Sequence, residues 1–152
     1  MILWMGFSSC EEKEQTPVVK KEISIDSLVL MYPDSVEILM RYGQHYVDKY
    51  EYQKALSSAT KAFRLDSNNL EARYLYANIL NNRADRTIED IMVAQRHFAY
   101  VHQKDPKNTA ALVSLASTYS VIQDFDKSFE YINEALRLDP KYKNAYVLKG
   151  SN

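Results

Sequence analysis

From Ile23 onward, apolar residues return at helical spacing in short stripes, and each stripe runs into a polar break before the next begins. Two stretches make the pattern plain: "KALSSATKAFRLDSNNLEARY" from Lys54 and "KSFEYINEALRLDPKYKNAY" from Lys127. Each carries an apolar helical face into "RLD", breaks, and enters a new helix. The breaks keep register, with Pro33, Ser67, Pro106 and Pro140 following one another at 34, 39 and 34 residues. Gly43, Ala77, Ala116 and Gly150 repeat the same three spacings, and Ala55, Ala94 and Ser128 give 39 and 34. Three agreeing tracks predict a repeated helix-turn-helix unit of 34 residues, one copy of which is five residues longer.

Residue size supports the pairing of helices within a unit. Gly43, Ala77 and Ala116 on the first helix, with Ala55, Ala94 and Ser128 on the second, leave room for two helix axes to approach closely. Tyr46, Leu80 and Tyr119 supply bulk in the crevice below, and Ala62, Val101 and Ala135 fall where a second helix meets the next unit. Asp105-Pro106 and Asp139-Pro140 each end a helix, because the residue before proline is pushed out of the α region. The five-residue excess lies between Ala77 and Ala94, at "NNRADRTIED". There Thr87, followed three residues later by Asp90, resembles a capping box restarting the second helix. The longer loop is expected to be either a lip over a binding face or tolerated slack, slack being the preferred reading.

A 34-residue unit of this kind resembles the tetratricopeptide repeat, and the resemblance covers residues 24–152. It implies an all-α fold, a right-handed α-solenoid of helix-turn-helix hairpins. The units run as a half-unit at 24–35, full units at 36–69, 70–108 and 109–142, and the start of a fourth at 143–152, with Tyr146 and Gly150 at the family's large and small positions. Arrays of this family close with a polar capping helix, so the chain is expected to be a piece of a longer array.

Composition narrows the class. The chain is 46% hydrophobic and 26% charged, as one soluble ordered domain would be, and with three Gly and four Pro it favours helices over a turn-rich β fold. A net charge of −1 and the lack of a basic run leave no footprint for nucleic acid. A single cysteine excludes an intrachain disulfide, so stability has to come from packing.

That cysteine matters for another reason. "MILWMGFSSC" places large apolar residues at the N-terminus and small residues directly before Cys10, as in the lipobox of bacterial lipoproteins. The resemblance implies that residues 1–10 are a signal segment, that Cys10 is lipidated, and that the chain is anchored to a membrane at the outer-membrane face of the cell envelope. No Lys or Arg precedes the short apolar stretch, which points to a truncated signal. Residues 11–22 read as a flexible tether. Within it, "EEKE" is similar to signals that send some lipoproteins to the cell surface and equally fits a solvated linker.

Catalytic chemistry is not indicated, and neither a cofactor nor a metal is expected. His45, His97 and His102 read as helix-surface residues, the last two lying five apart where ligands on one helix face need three or four. Glu89 and Asp90 are adjacent and suit a helix start better than acid/base work. No Gly-rich phosphate loop is present, and the serines lack a nucleophile-elbow arrangement.

The family presents a concave groove lined by the first helix of each unit. Its groove positions, carried onto this chain, are Glu37, Met40, Gln44 and Val47, then Glu71, Tyr74, Asn78 and Asn81, then Ala110, Val113, Ser117 and Ser120. Amides and hydroxyls beside Met and Tyr suit a protein partner that offers a peptide or helix. The subtype that clamps acidic chaperone tails carries Lys, Asn and Arg where this chain has Met40, Gln44, Leu75, Ala110 and Ser114. The resemblance therefore implies no carboxylate clamp, and Glu37 and Glu71 repel such a tail. Two other roles stay open: a structural subunit of an outer-membrane assembly, and an accessory lipoprotein for glycan capture in which Tyr replaces the exposed Trp of sugar platforms. The sequence-level expectation is checked at the N-terminus. Mass spectrometry of the membrane-extracted protein is expected to find Cys10 as an acylated first residue, and Cys10→Ala to leave the acyl group off; Met1 to Ser9 still attached on an unacylated chain would refute it.

Overall fold

The computed structural model describes residues 23–152, so the signal segment, Cys10 and the tether lie outside the described residues. Among the described residues there are eight helices and no strand: α1 (Ile25–Met31), α2 (Val36–Asp48), α3 (Tyr52–Leu65), α4 (Leu70–Asn82), α5 (Ile88–Lys104), α6 (Thr109–Val121), α7 (Phe125–Leu138) and α8 (Lys143–Ser151).

Local chemistry sets these limits. Side chains of Ser24, Ser35, Asn69, Asn108 and Asp124 each accept a backbone N–H of the first turn of the helix they precede. An oxygen at that position satisfies one of the N–H groups that a helix start leaves unpaired. Asp66, Asp105 and Asp139 hold the C-terminal ends of α3, α5 and α7, two of them directly before proline. The tight turns of the α2/α3 and α6/α7 hairpins share one device. Tyr50 and Gln123 adopt left-handed φ values of 61° and 62°, and the next N–H reaches back to the carbonyl of Tyr46 or Tyr119.

Each helix packs on its successor, and the first helices α2, α4, α6 and α8 also touch one another in series. Their partners α3, α5 and α7 make no such contacts with one another. The stack therefore closes up on the first-helix side and opens on the other, which curves it and makes the first-helix face concave.

The core is a chain of clusters that cross from one hairpin to the next. Tyr46, Ala55 and Ala59 meet Leu75 and Ile79, and Ala77, Leu80, Ala94 and Phe98 meet Leu115. Farther on, Leu112, Ala116, Ile132 and Ala135 meet Ala145. No hairpin buries its apolar face alone, so the units stabilise one another. The small residues are where axes come closest: Ala55, Ala77, Ala94, Ala116 and Ser128 are all fully buried. A Cβ built on Gly43 would lie 3.0 Å from Leu75 Cδ2 and 3.7 Å from the Ala55 carbonyl oxygen. At Gly150, by contrast, a Cβ would meet nothing within 4 Å, and Tyr146, at the family's large position, is 55% exposed. Among the described residues only α6 and α7 adjoin α8.

The five-residue excess is not a longer loop alone. Three residues join the helices of the other two full hairpins and five join α4 to α5, while α5 has 17 residues against 14 in α3 and α7. Two extra residues thus enter the loop and three extend the start of α5. The capping box forms, with Thr87 and Asp90 exchanging bonds at the new start. The Asp90 carboxylate also takes a 2.7 Å ion pair from Arg83. Partial burial works to raise the Asp90 pKa, yet the Thr87 N–H, Arg83 and the Thr87 hydroxyl outweigh it and hold the carboxyl below its ordinary value. Gln53 of the preceding turn donates to Asp85 at 3.0 Å. The loop is tied to the α2/α3 turn, and Arg83, Ala84 and Asp85 line a cavity of about 450 Å³ with residues 50–54, so it is not slack alone.

Two opposing terms meet at Gly43. Alanine in place of a helical glycine favours folding by about 1 kcal/mol, while the 3.0 Å approach forces the Leu75 methyl aside. Gly43→Ala is expected to change stability by less than about 1 kcal/mol, and Gly43→Val to cost about 2 kcal/mol or more, read from denaturant midpoints.

Candidate functional site

The concave face carries two adjoining pockets. The first encloses about 660 Å³ between α2, α4 and the start of α6. Of the residues expected there, Glu37, Met40 and Gln44 reach it from α2, Glu71 and Tyr74 from α4, and Ala110 from α6. The second, about 290 Å³, is shared by α4, α6 and the approach to α8, and it gathers Asn78, Asn81, Val113 and Ser117. Tyr74 and Ala110 line both, so the two pockets adjoin along the concave face. The phenol of Tyr74 is fixed by a 3.0 Å hydrogen bond to the Ser114 hydroxyl. Burial raises its pKa, with the Ser114 bond acting weakly the other way.

Two expected residues are not brought into the groove. Ser120 is turned into the α6/α7 interface, where its hydroxyl lies 2.9 Å from Ser128 Oγ and donates to Asn152 at 2.6 Å. Val47 packs on the cluster of Tyr46, Ala55 and Ala59. Both follow helical periodicity, but their side chains are taken up against the partner helix, whereas Asn81, at the matching place on α4, stays in the second pocket.

Other residues enter the first pocket without having been read from the sequence. Arg41 lies one turn beyond Glu37 and supplies the only cation among the lining residues, while Asp105 and Asn108 come from the connection between α5 and α6. Arg41 was recoverable from its four-residue spacing; the loop residues were not, because only stacking carries the end of one unit over the next groove. The pocket thus sets three carboxylates, those of Glu37, Glu71 and Asp105, against one guanidinium.

Asn81 is 6% exposed, and its Oδ1 has no hydrogen-bond partner. Its neighbour Asn78 is already engaged, accepting from Asn82 Nδ2 at 2.6 Å. An unpaired buried amide oxygen is costly to folding, on the order of 1–3 kcal/mol.

His97, read as a surface residue, belongs instead to a half-buried cluster. Its Nδ1 lies 3.1 Å from Arg73 Nη1, so the unprotonated nitrogen accepts from the guanidinium. Its ring meets Phe63 and Tyr76 edge-on. Arg73 also sits over the Tyr100 ring, 3.9 Å from its centroid, and donates to the Ser67 carbonyl at 2.7 Å. Burial, then Arg73 and Arg96, lower the His97 pKa. Among the described residues no group of three or more His, Cys, Asp or Glu is placed to hold a metal ion, and no helix is long and apolar enough to cross a membrane.

Residues 109–142, which comprise α6 and α7, match the family described as "Tetratricopeptide repeat". No curated protein matches the chain in sequence. Among solved structures, YrrB, "a TPR protein with an unusual peptide-binding site", superposes with a TM-score of 0.71 at 21% identity, over 83% of this chain and 62% of YrrB. MamA 41-end from Desulfovibrio magneticus RS-1 gives 0.67 at 21% identity, over 80% and 66%. The Arabidopsis OM64 TPR domain gives 0.66 at 18%, over 76% and 92%. The fold is a tetratricopeptide-repeat solenoid. At these identities the likeness is one of fold, and the chain spans about 62% of the length of YrrB.

Within that solenoid, Met40, Gln44, Leu75 and Ala110, which stand where the chaperone-tail subtype carries Lys, Asn and Arg, all line the first pocket.

The Arg73–His97 pair makes stability depend on pH. The folded His97 pKa is depressed below the ordinary value of about 6.5, so its contribution is present above that pH. It is lost as pH falls below about 6.5 toward the folded value. His97→Gln, which still offers Arg73 an acceptor, is expected to flatten the decline in melting temperature between about pH 7 and 5 relative to the unmodified protein.

Proposed function

We propose that this chain is a non-catalytic protein-binding scaffold, held at the outer membrane of the bacterial envelope by a lipid on Cys10, that receives a peptide or helix in its concave groove. The observation that carries the reading is the pair of adjoining pockets across α2, α4 and α6, where apolar Met40, Leu70 and Leu75 lie beside Glu37, Arg41 and Glu71, none of which makes a salt bridge among the described residues. Such a surface sets apolar area beside charged and polar side chains, which is how grooves hold extended or helical segments. The fold shared with YrrB, which is described as having a peptide-binding site, points the same way. The anchor rests on the lipobox-like residues before Cys10.

A second reading, a structural subunit of an envelope assembly, is favoured by α8. There Tyr146 and Val147 are 55% and 69% exposed and offer an apolar joint.

Site-specific photo-cross-linking separates the two. A benzophenone side chain placed at Gln44 or Glu71 is expected to capture a discrete protein in membranes, and the same group at the convex Arg96 to capture none. Capture from Val147 alone would favour the assembly joint, and a groove that captures nothing would refute the scaffold reading.

A further inference from the structure

Helix ends alternate between two edges of the stack. Each helix packs on its successor across a connection of three to five residues, so neighbours run antiparallel. One edge therefore gathers the start of α1 and the three turns inside hairpins, at residues 49–51, 83–87 and 122–124. Two hydrogen bonds tie its stations together. Tyr46, near the end of α2, donates to Asp26 in the first turn of α1 at 2.6 Å, and Gln53 beside the first turn donates to Asp85 of the second at 3.0 Å. Every station exposes a large apolar side chain: Ile23 before α1, Tyr50, Ile88, then Ile122 with Phe125, at exposures from 42% to 80%. The opposite edge exposes Met31, Tyr32, Leu65 and Leu138, but its connection at 105–108 adds none to that set.

The chain enters the described fold at the first of these edges. Residues 11–22 separate Cys10 from Ile23, and twelve residues span at most about 43 Å. The opposite edge lies one helix farther off, about 20 Å for the 13 and 14 residues of α2 and α3. A lipid on Cys10 therefore brings the complete apolar row nearest to the bilayer. We propose that this edge rests on the lipid surface, with Tyr50, Ile88, Ile122 and Phe125 seated where headgroups meet acyl chains. The seating rests on the anchor read at Cys10 and adds to it the orientation of the stack. Within 48–54, 83–90 and 121–127, five Lys and Arg stand against seven Asp and Glu, so apolar contact holds the edge and attraction to anionic headgroups does not. Aromatic rings are suited to that boundary. The helices then stand on the membrane by their ends, and the concave face opens sideways, clear of the lipid.

The full chain is coupled through the Cys10 thiol to a maleimide-bearing lipid in phosphatidylcholine vesicles, which supplies the anchor whether or not cells acylate that residue. Trp4→Phe removes the one native tryptophan, and Phe125→Trp or Lys107→Trp then reports on one edge or the other. Acyl chains brominated near the headgroup are expected to quench the Phe125→Trp reporter at least about threefold more than the Lys107→Trp reporter, with no loss in high salt. Adding Tyr50→Asn and Ile88→Ser, with helix content checked by circular dichroism, is expected to remove most of the quenching at Phe125→Trp while the chain stays coupled. Equal quenching at the two positions, quenching that survives those substitutions, or quenching abolished by salt would overturn the edge contact. Quenching at neither position would overturn lipid as the occupant and leave the row to a protein. Selective quenching in vesicles, together with an unacylated Cys10 in protein from cells, would support the edge and overturn the anchor.

Discussion

Close approach between paired helices at small side chains is the constraint on which the rest of the molecule depends. Ala55, Ala77, Ala94, Ala116 and Ser128 are wholly enclosed, and Gly43 has scarcely room for a methyl group beside Leu75. Where two axes come this near, larger groups such as Tyr46, Phe98 and Ile132 fill the wedge on either side. Interiors are packed to near crystalline density, so a bulky residue at a contact point cannot be absorbed by slight adjustments. The same small residues recur at every hairpin, and the repeated geometry of the stack follows from them.

Curvature is the second level. First helices touch along the stack and second helices do not, so one face gathers side chains from three successive units. Residues separated by more than thirty positions, such as Tyr74 and Ser114, become hydrogen-bonded neighbours on that face. The arrangement converts a one-dimensional repeat into a surface whose chemistry varies along its length, since each unit contributes its own residues at equivalent places. Glu37 and Glu71 occupy matching positions, and Ala110 breaks the series. A charge gradient along the groove therefore needs no special architecture, only divergence between copies.

Much of this was legible before any coordinates. Period, helix ends and the capping box at Thr87 depend on local spacing and on side-chain chemistry within a few residues, and these are features a sequence displays directly. The all-α solenoid follows once the spacing is seen. Misreadings arose where neighbours in space decide the outcome. Ser120 carries the right residue type at the right period, yet its hydroxyl is claimed by Ser128 and Asn152. His97 looked like a surface residue until Arg73 and Tyr76 from α4 and Phe63 from α3 closed around it. Asp105 and Asn108 belong to a connection whose place over the groove is set by the stacking of whole units. The place of the five-residue excess is legible in the sequence but its form is not, because residue count alone does not separate a longer loop from a longer helix.

The early start of α5 has a geometric corollary. Three added residues at 1.5 Å of rise lift its first turn roughly 4.5 Å above the tips of α3 and α7. Ile88 stands at the crest of this step, 60% exposed. Identical hairpins would present a sliding visitor with the same rim at every stop, and any binding along that rim would be indifferent to where it began. One raised shoulder breaks that repetition, leaving a single point on the rim that differs from the rest by shape alone.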